Sequence, residues 1–202
     1  MDTRTTARAV LAAALGAEAI AAHQRFAARR ELFARATARA RETGRPLVVV
    51  GDPHGGAHTR LIPAYGCGDL TLDLTGCPSC PNGLAVNLDR ERVSSVPDDS
   101  AVVYVSCVLE YVGRPDVAWQ ELLRMAGSTD NLFVVGVQPW SMTAALYPGA
   151  QRTVRVAGRE LVSSPVSTER KVATVAGLAL LAYLSFRPER KAPQAALTAG
   201  RK

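Results

Sequence analysis

Aromatic side chains are scarce in this chain, 5% of its residues, and cysteines number four in 202. So few cysteines exclude the small, disulfide-scaffolded secreted class. Charged residues make up only 21% against 48% hydrophobic, which excludes a wholly disordered protein. Sixteen glycines and twelve prolines, without a period, exclude collagen-like and low-complexity chains. The length suits one domain of ordinary size with appendages rather than two full domains.

Nor is the net charge of +6 evenly spread. Residues 1–45 carry +5, residues 46–150 carry −6 and residues 151–202 carry +7. An acidic middle between basic ends is the wrong distribution for a folded face that grips nucleic acid, so nucleic acid is disfavoured as a partner. The basic ends remain open to anionic lipid, to RNA, or to solvent alone.

Residues 1–45 are dominated by one helix over 7–42. Alanine is abundant, proline is absent, and Leu11, Leu15, Phe26 and Phe33 recur on a face that Ala19 and Ala22 complete. Thr5 or Thr6 would cap its start, and Gly44-Arg45-Pro46 ends it. Residues 10–22 are apolar but for Glu18. That is short of the roughly 20 residues a bilayer span needs, and it loosely fits a secretory signal as well. Because the helix runs on in register through Arg25, Arg29 and Arg30, docking onto the following domain is the favoured reading.

Residues 46–150 read as an α/β domain. Leu47–Val50 is a short run of valine and leucine between Pro46 and Gly51, as a buried parallel strand should be. Residues 70–74, 101–106 and 132–137 give three more strands. Between the last two, Pro115–Ala126 carries Val117, Trp119, Leu122 and Met125 as a helical stripe. Strand, helix and strand in that rhythm imply a doubly wound, mostly parallel sheet. Residues 151–202 break it: 151–162 suit one short hairpin, 163–168 a link, and Val172–Phe186 is a fifteen-residue run without a charge. That run is short for a span, yet it lacks a polar face. Its Tyr183 and Phe186 lie beside basic residues, as interfacial anchors do. Membrane insertion is the favoured reading and burial in a core or oligomer interface the alternative. With both flanks basic, no orientation follows.

In an open parallel sheet, ligands bind beyond the carboxyl ends of the strands. After the first strand stands Gly51-Asp52-Pro53-His54-Gly55-Gly56, with a helix expected from about Ala57. Glycines there let backbone approach a ligand and a helix start favours an anion, although a tight turn needs glycine on structural grounds alone. Asp73 closes the second strand, where a carboxylate accepts hydrogen bonds from both hydroxyls of a ribose. Asn87-Leu88-Asp89 offers another polar group, ahead of the loop Pro97-Asp98-Asp99-Ser100. Cys77-Pro78-Ser79-Cys80 is a CxxC with Cys67 ten residues upstream. A zinc site completed by His54 or His58, a redox or disulfide pair, and a plain turn with two unpaired thiols are all open. Trp140 reads as packing or as part of a pocket wall.

From residue 48 to 137 this succession resembles the class I S-adenosylmethionine-dependent methyltransferases, in the broad group of small-molecule and quinone methylases. The likeness is carried by Val96-Pro97-Asp98-Asp99-Ser100 and by Val103-Tyr104-Val105-Ser106-Cys107-Val108-Leu109-Glu110-Tyr111-Val112. Pro115-Asp116, Ala118-Trp119-Gln120-Glu121-Leu122-Leu123-Arg124-Met125 and Leu132-Phe133-Val134-Val135 extend it. These are similar to the family's acidic loop, fourth strand, "LEH"-like segment, amphipathic helix and fifth strand. The resemblance covers about half the chain. It implies a Rossmann-like fold and S-adenosylmethionine as cofactor, held around Gly51, Asp52, Gly55, Asp73, Leu74, Leu88, Asp89 and Cys107. Gly51 and Gly55 would meet the methionine end, Asp73 the ribose, and Leu88 or Asp89 the adenine.

The departures are specific. Val49 stands where the family's first motif opens with an acid, Pro53 replaces a glycine, and Val102 stands where many relatives have Asp. Cys107 and Tyr111 replace two histidines, and two later strands are missing after Gln138-Pro139-Trp140. Methyl transfer survives the loss of an imidazole, since the sulfonium is a reactive donor and alignment is the main task. Tyr111 or a carboxylate would assist an acceptor that needs deprotonation. The leading reading is a methyltransferase for a small-molecule or lipid-like acceptor, its domain cytoplasmic and anchored in a membrane through 172–186. The rival is a non-catalytic, membrane-tethered or assembly protein that keeps the fold. A third is an RNA-associated methylase using its basic ends.

Overall fold

A computed structural model describes residues 3–55, 62–137, 155–156, 159–160 and 168–186. Five short strands form one all-parallel sheet: β1 (Leu47–Val50), β2 (Leu70–Asp73), β3 (Gly83–Ala85), β4 (Val102–Ser106) and β5 (Leu132–Val135). Their order is β3-β2-β1-β4-β5, so the strand order reverses between β1 and β4. Helices α1 (Thr3–Thr43) and α2 (Pro115–Ala126) cover opposite faces, which makes this an α/β architecture.

Alternation along the strands builds two cores. Val48, Val50, Val103 and Val105 pack with Leu122 and Met125 of α2. Their neighbours Leu47, Val49, Val102 and Tyr104 pack with Ala36 and Ala40 of α1. Both β1 and β4 are buried along their whole length, so every position is apolar or nearly so and neither strand alternates in sequence. In register, Val50 lies beside Leu72 on one side and Val105 on the other. The three strands therefore end level, and the loops that leave them share one edge of the sheet.

Helix α2 begins with Pro115 at its first turn and stops at Gly127, whose left-handed conformation (φ 71°) brings its N–H to the Leu123 carbonyl. Its buried seam is Pro115, Ala118, Leu122 and Met125, with Trp119 half-buried beside it. Helix α1 is about 60 Å long at 1.5 Å per residue, far longer than the sheet it covers. Its carboxyl half docks: Phe33 packs edge-on to Tyr104 (5.4 Å between ring centroids), and the Tyr104 hydroxyl donates to the Arg29 carbonyl at 3.2 Å. Its amino half runs antiparallel to α3 (Thr168–Phe186), with Arg4 and Arg8 donating to the Ser185 carbonyl.

That division corrects the amino half of the expected apolar stripe, while Phe26 and Phe33 do pack against the core. Leu15 is 57% exposed, Ala19 and Ala22 are exposed too, and the buried positions are Ala7, Ala21, Ala36 and Ala40. Where the helix leaves the sheet, small residues rather than leucines sit inside. The expected C-terminal membrane helix is corrected as well. Among the described residues the helix long and apolar enough to cross a bilayer is α1, by length and composition, with only 11% of its eighteen-residue window buried. The uncharged run of α3 stops at Val172–Phe186, because Glu169, Arg170 and Lys171 occupy its first turn.

Strand β3 is absent from the sequence reading: it is a three-residue edge strand exposed at every position, so it carries no hydrophobic pattern. The hairpin expected within 151–162 corresponds to β6 (Arg155–Val156) and β7 (Arg159–Glu160), paired antiparallel as a separate ladder. The helix expected from Ala57, His58, Trp140, most of the 163–168 link and the tail from Arg187 fall outside the described residues.

Candidate functional site

The loops leaving β1, β2, β3 and β4 enclose a cleft of about 500 Å³. Gly51, Asp52, Gly55, Asp73, Leu74, Leu88, Asp89 and Cys107 all border it. Their surroundings give them different work.

Gly51 has φ +106° and donates its N–H to the Leu72 carbonyl at 2.8 Å. A Cβ there would stand 3.0 Å from the Ser106 carbonyl oxygen and 3.2 Å from Val108 Cγ2. The backbone conformation and the close approach of the β4 loop both demand glycine, with or without a ligand. Asp73 is fixed at the tip of β2. Its Oδ2 accepts from the Asp52 N–H (3.2 Å), and its Oδ1 accepts from the Thr75 N–H (3.1 Å) and hydroxyl (3.0 Å). A carboxylate has about four acceptor positions, so capacity is left over. Asp89 is committed otherwise: Oδ2 accepts from Gly113 N–H at 2.9 Å and Oδ1 from Arg114 N–H at 2.8 Å. It ties the segment after β3 to the start of α2. Leu88 is part of the sheet core and forms cleft wall, and Leu74 stands exposed at the rim.

Asp52 accepts from the His54 N–H (2.8 Å) and the Cys77 thiol (3.3 Å) through Oδ1, while its carbonyl accepts from the Tyr65 hydroxyl (3.2 Å). Cys107 adopts φ +53°, uncommon for a residue with a side chain, and donates its N–H to the Val135 carbonyl at 2.8 Å. Burial pushes its thiol up, so it is a neutral wall rather than a thiolate.

Arg29 and Tyr65 also border the cleft, and sequence reasoning did not place them there. Arg29 comes from α1, and its buried Nε has no hydrogen-bond partner among the described residues. The available signal was its spacing, one helical turn before the docking residue Phe33. Burial pushes the Tyr65 hydroxyl up to about 12, which keeps it a hydrogen-bond donor at neutral pH. Among the described residues the cleft thus gathers three carboxylates, Asp52, Asp73 and Asp89, against one guanidinium.

Glu110, the acid of the "LEH"-like segment, is not in the cleft. It is 2% exposed; Oε1 accepts from the Val137 N–H at 2.6 Å and Oε2 has no partner. Burial pushes its pKa up, so the folded chain keeps this proton to higher pH than the unfolded chain does. Stability therefore falls as pH rises from about 4.5 through the folded value. Glu110→Gln keeps the Oε1 acceptor and removes the penalty. It is expected to raise the thermal midpoint at pH 8 and leave it nearly unchanged at pH 4; equal shifts at both pH values would exclude this cause.

The cysteines are arranged differently from the simplest pairing of the CxxC. The disulfide joins Cys67 to Cys80, and Cys77 is a buried free thiol. Among the described residues no group of three or more His, Cys, Asp or Glu is disposed to hold a metal ion. No family model, no curated protein and no solved structure matches this chain.

Proposed function

We propose that the chain is a Rossmann-like, S-adenosylmethionine-dependent methyltransferase with its donor site in this cleft. One observation carries the proposal: Asp73, locked at the tip of β2, borders a ligand-sized cleft next to the point where strand order reverses, the usual place for a nucleoside in an open α/β sheet. The residues present suit that donor. About 500 Å³ lies within the range of small-molecule sites. Among the described residues three carboxylates border the cleft against one guanidinium, which favours a ligand whose sulfonium and ammonium outnumber its carboxylate.

In this reading Asp73 accepts from the ribose hydroxyls, and the Arg29 Nε gives the methionine carboxylate a donor. Val49, the position of the family's acid, is fully buried against α1 and has no access to the ammonium. Asp52, three residues on, takes that part. Leu88 packs against the adenine, while Asp89 holds the wall behind it. When bound, the sulfonium supplies an activated methyl group, and the chain has only to align an acceptor with it. Tyr111, exposed at the rim of the cleft, is the phenol placed to meet that acceptor.

The acceptor is a lipid-like or apolar small molecule, and nucleic acid is not the partner of so acidic a cleft. Val10, Leu15 and Ile20 on α1 and Val172, Leu180 and Phe186 on α3 are exposed, which suits lipid contact by the paired helices. Arg29 lies about 10 Å along α1 from residue 22, where the apolar run ends. A cytoplasmic domain held this way keeps its cleft at the membrane surface.

The non-catalytic alternative has one observation in its favour, the buried Val49. Calorimetric titration of the full chain in detergent with S-adenosylhomocysteine separates the two. A methyltransferase is expected to bind with a dissociation constant below about 100 μM, which corresponds to roughly 5.5 kcal/mol. No heat at millimolar ligand would leave a scaffold only.

A further inference from the structure

Three of the four cysteines meet beside the Asp52 wall of the cleft. The Cys77 thiol stands 2.9 Å from the Cys80 sulfur, which is already bonded to Cys67, and 3.3 Å from Asp52 Oδ1. A tight turn presents the pair: Cys80 N–H donates to the Cys77 carbonyl at 3.0 Å, and Gly83 N–H to the Cys80 carbonyl at 3.2 Å. Cys80 therefore has two sulfurs within reach. Cys67 is half-exposed, whereas Cys77 is buried.

We propose that Cys67, Cys77 and Cys80 form a thiol–disulfide exchange centre in which Cys80 alternates between Cys67 and Cys77. The Cys77 sulfur attacks Cys80 Sγ. The Cys77–Cys80 bond forms as the Cys67–Cys80 bond breaks, and the electron pair leaves on Cys67 Sγ, which takes a proton from solvent. The proton of Cys77 passes to Asp52 and on to solvent. Nothing is oxidised or reduced overall, so no outside oxidant or reductant is consumed. Burial pushes the Cys77 thiol up, so the resting centre holds a thiol and the attack proceeds only as Asp52 takes its proton.

The two isomers present different cleft walls. In the Cys67–Cys80 form, segment 62–69, which carries Tyr65, is tied to the turn at 77–80, and Asp52 is tied to Cys77. In the Cys77–Cys80 form both ties are gone, and Asp52 keeps its link to Asp73 and its contacts with His54, Gly55 and Tyr65. A cytoplasmic placement agrees with such a centre, since disulfides there are mostly transient and catalytic or redox-sensing. The exchange does not depend on the methyl-donor reading and is tested without it.

The test is timed alkylation of the unreduced full chain with iodoacetamide, followed by acid quench and digestion with trypsin and endoproteinase Asp-N. Cleavage before Asp69 and Asp73 parts Cys67 from the peptide holding Cys77 and Cys80. Exchange predicts label accumulating on Cys67 in molecules whose Cys77 and Cys80 are joined within one peptide. In Cys77→Ser that label is expected to fall at least about tenfold, with Cys67 staying cross-linked to Cys80. The proposal is overturned if Cys67 never labels, if all three sulfurs label in one molecule, or if Cys67 labels equally in Cys77→Ser.

Discussion

Asp73→Ala is expected to weaken binding of S-adenosylhomocysteine by about two to three orders of magnitude while leaving the sheet folded. Two hydrogen bonds from ribose hydroxyls to a carboxylate are charge-assisted, worth about 1.5–3 kcal/mol each. Losing both and keeping part through water gives roughly 3–4 kcal/mol, and each 1.4 kcal/mol is about tenfold. The structural cost is smaller. Asp73 also accepts from the Asp52 and Thr75 N–H groups, but Thr75 is exposed and water replaces the lost acceptor there. Asp73→Asn retains one acceptor oxygen without the charge and falls between, at about a tenfold loss. Titration calorimetry with circular dichroism as the folding check reads both. Wild-type affinity in Asp73→Ala, with an unchanged spectrum, would mean that β2 does not hold the ribose.

The strands were legible because a two-sided core leaves no choice of residue type. Leu47–Val50 and the Val102–Val105 stretch are apolar on both faces, and the helix Pro115–Ala126 announces itself by the stripe of Trp119, Leu122 and Met125. The cleft residues were legible for the same topological reason: level strand ends put Gly51, Asp73 and Cys107 on one edge. What escaped depends on contacts far apart in sequence. Arg29 enters the cleft only because α1 docks along the sheet, and Tyr65 only because an irregular segment crosses back beneath Phe33. The CxxC left a zinc site, a redox or disulfide pair and two unpaired thiols open, and only the fold shows that Cys67 reaches Cys80, because β2 and β3 run side by side. Asp89 resembled a ligand-binding acid by spacing, and only geometry gives its two oxygens to Gly113 and Arg114. Phe26 and Phe33 of α1 pack as read, but its amino half misled because alanine, not leucine, is buried there.

Arg124→Ala is expected to destabilise the domain by about 2 kcal/mol, below the roughly 3–5 kcal/mol for breaking a fully buried ion pair from one side, because this pair is part-buried. The connection from β3 to β4 carries no helix, so its carbonyls need partners from elsewhere. Arg124 supplies them: its guanidinium donates to the Val96 carbonyl (2.9 Å) and the Val93 carbonyl (3.2 Å). It also forks onto Glu121, with Nε to Oε2 at 2.8 Å and Nη2 to Oε1 at 2.7 Å, and reaches Asp98 at 2.6 Å. Arg124 and Glu121 are 16% and 11% exposed, so water takes over only in part when the fork is removed. Lysine cannot reproduce the fork, and Arg124→Lys is expected to recover less than half of the loss. The pH dependence identifies the cause. The Arg124 guanidinium holds the Glu121 carboxyl below its usual range, so this pair stabilises the fold above about 4.5 and the contribution is lost as pH falls through the folded value. Urea unfolding should therefore show the gap between wild type and Arg124→Ala narrowing below pH 4.5; a gap of constant size would assign the loss to the carbonyl contacts alone. Because the same loop is continuous with Leu88 and Asp89, the variant should also bind the nucleoside more weakly than wild type, yet by far less than Asp73→Ala.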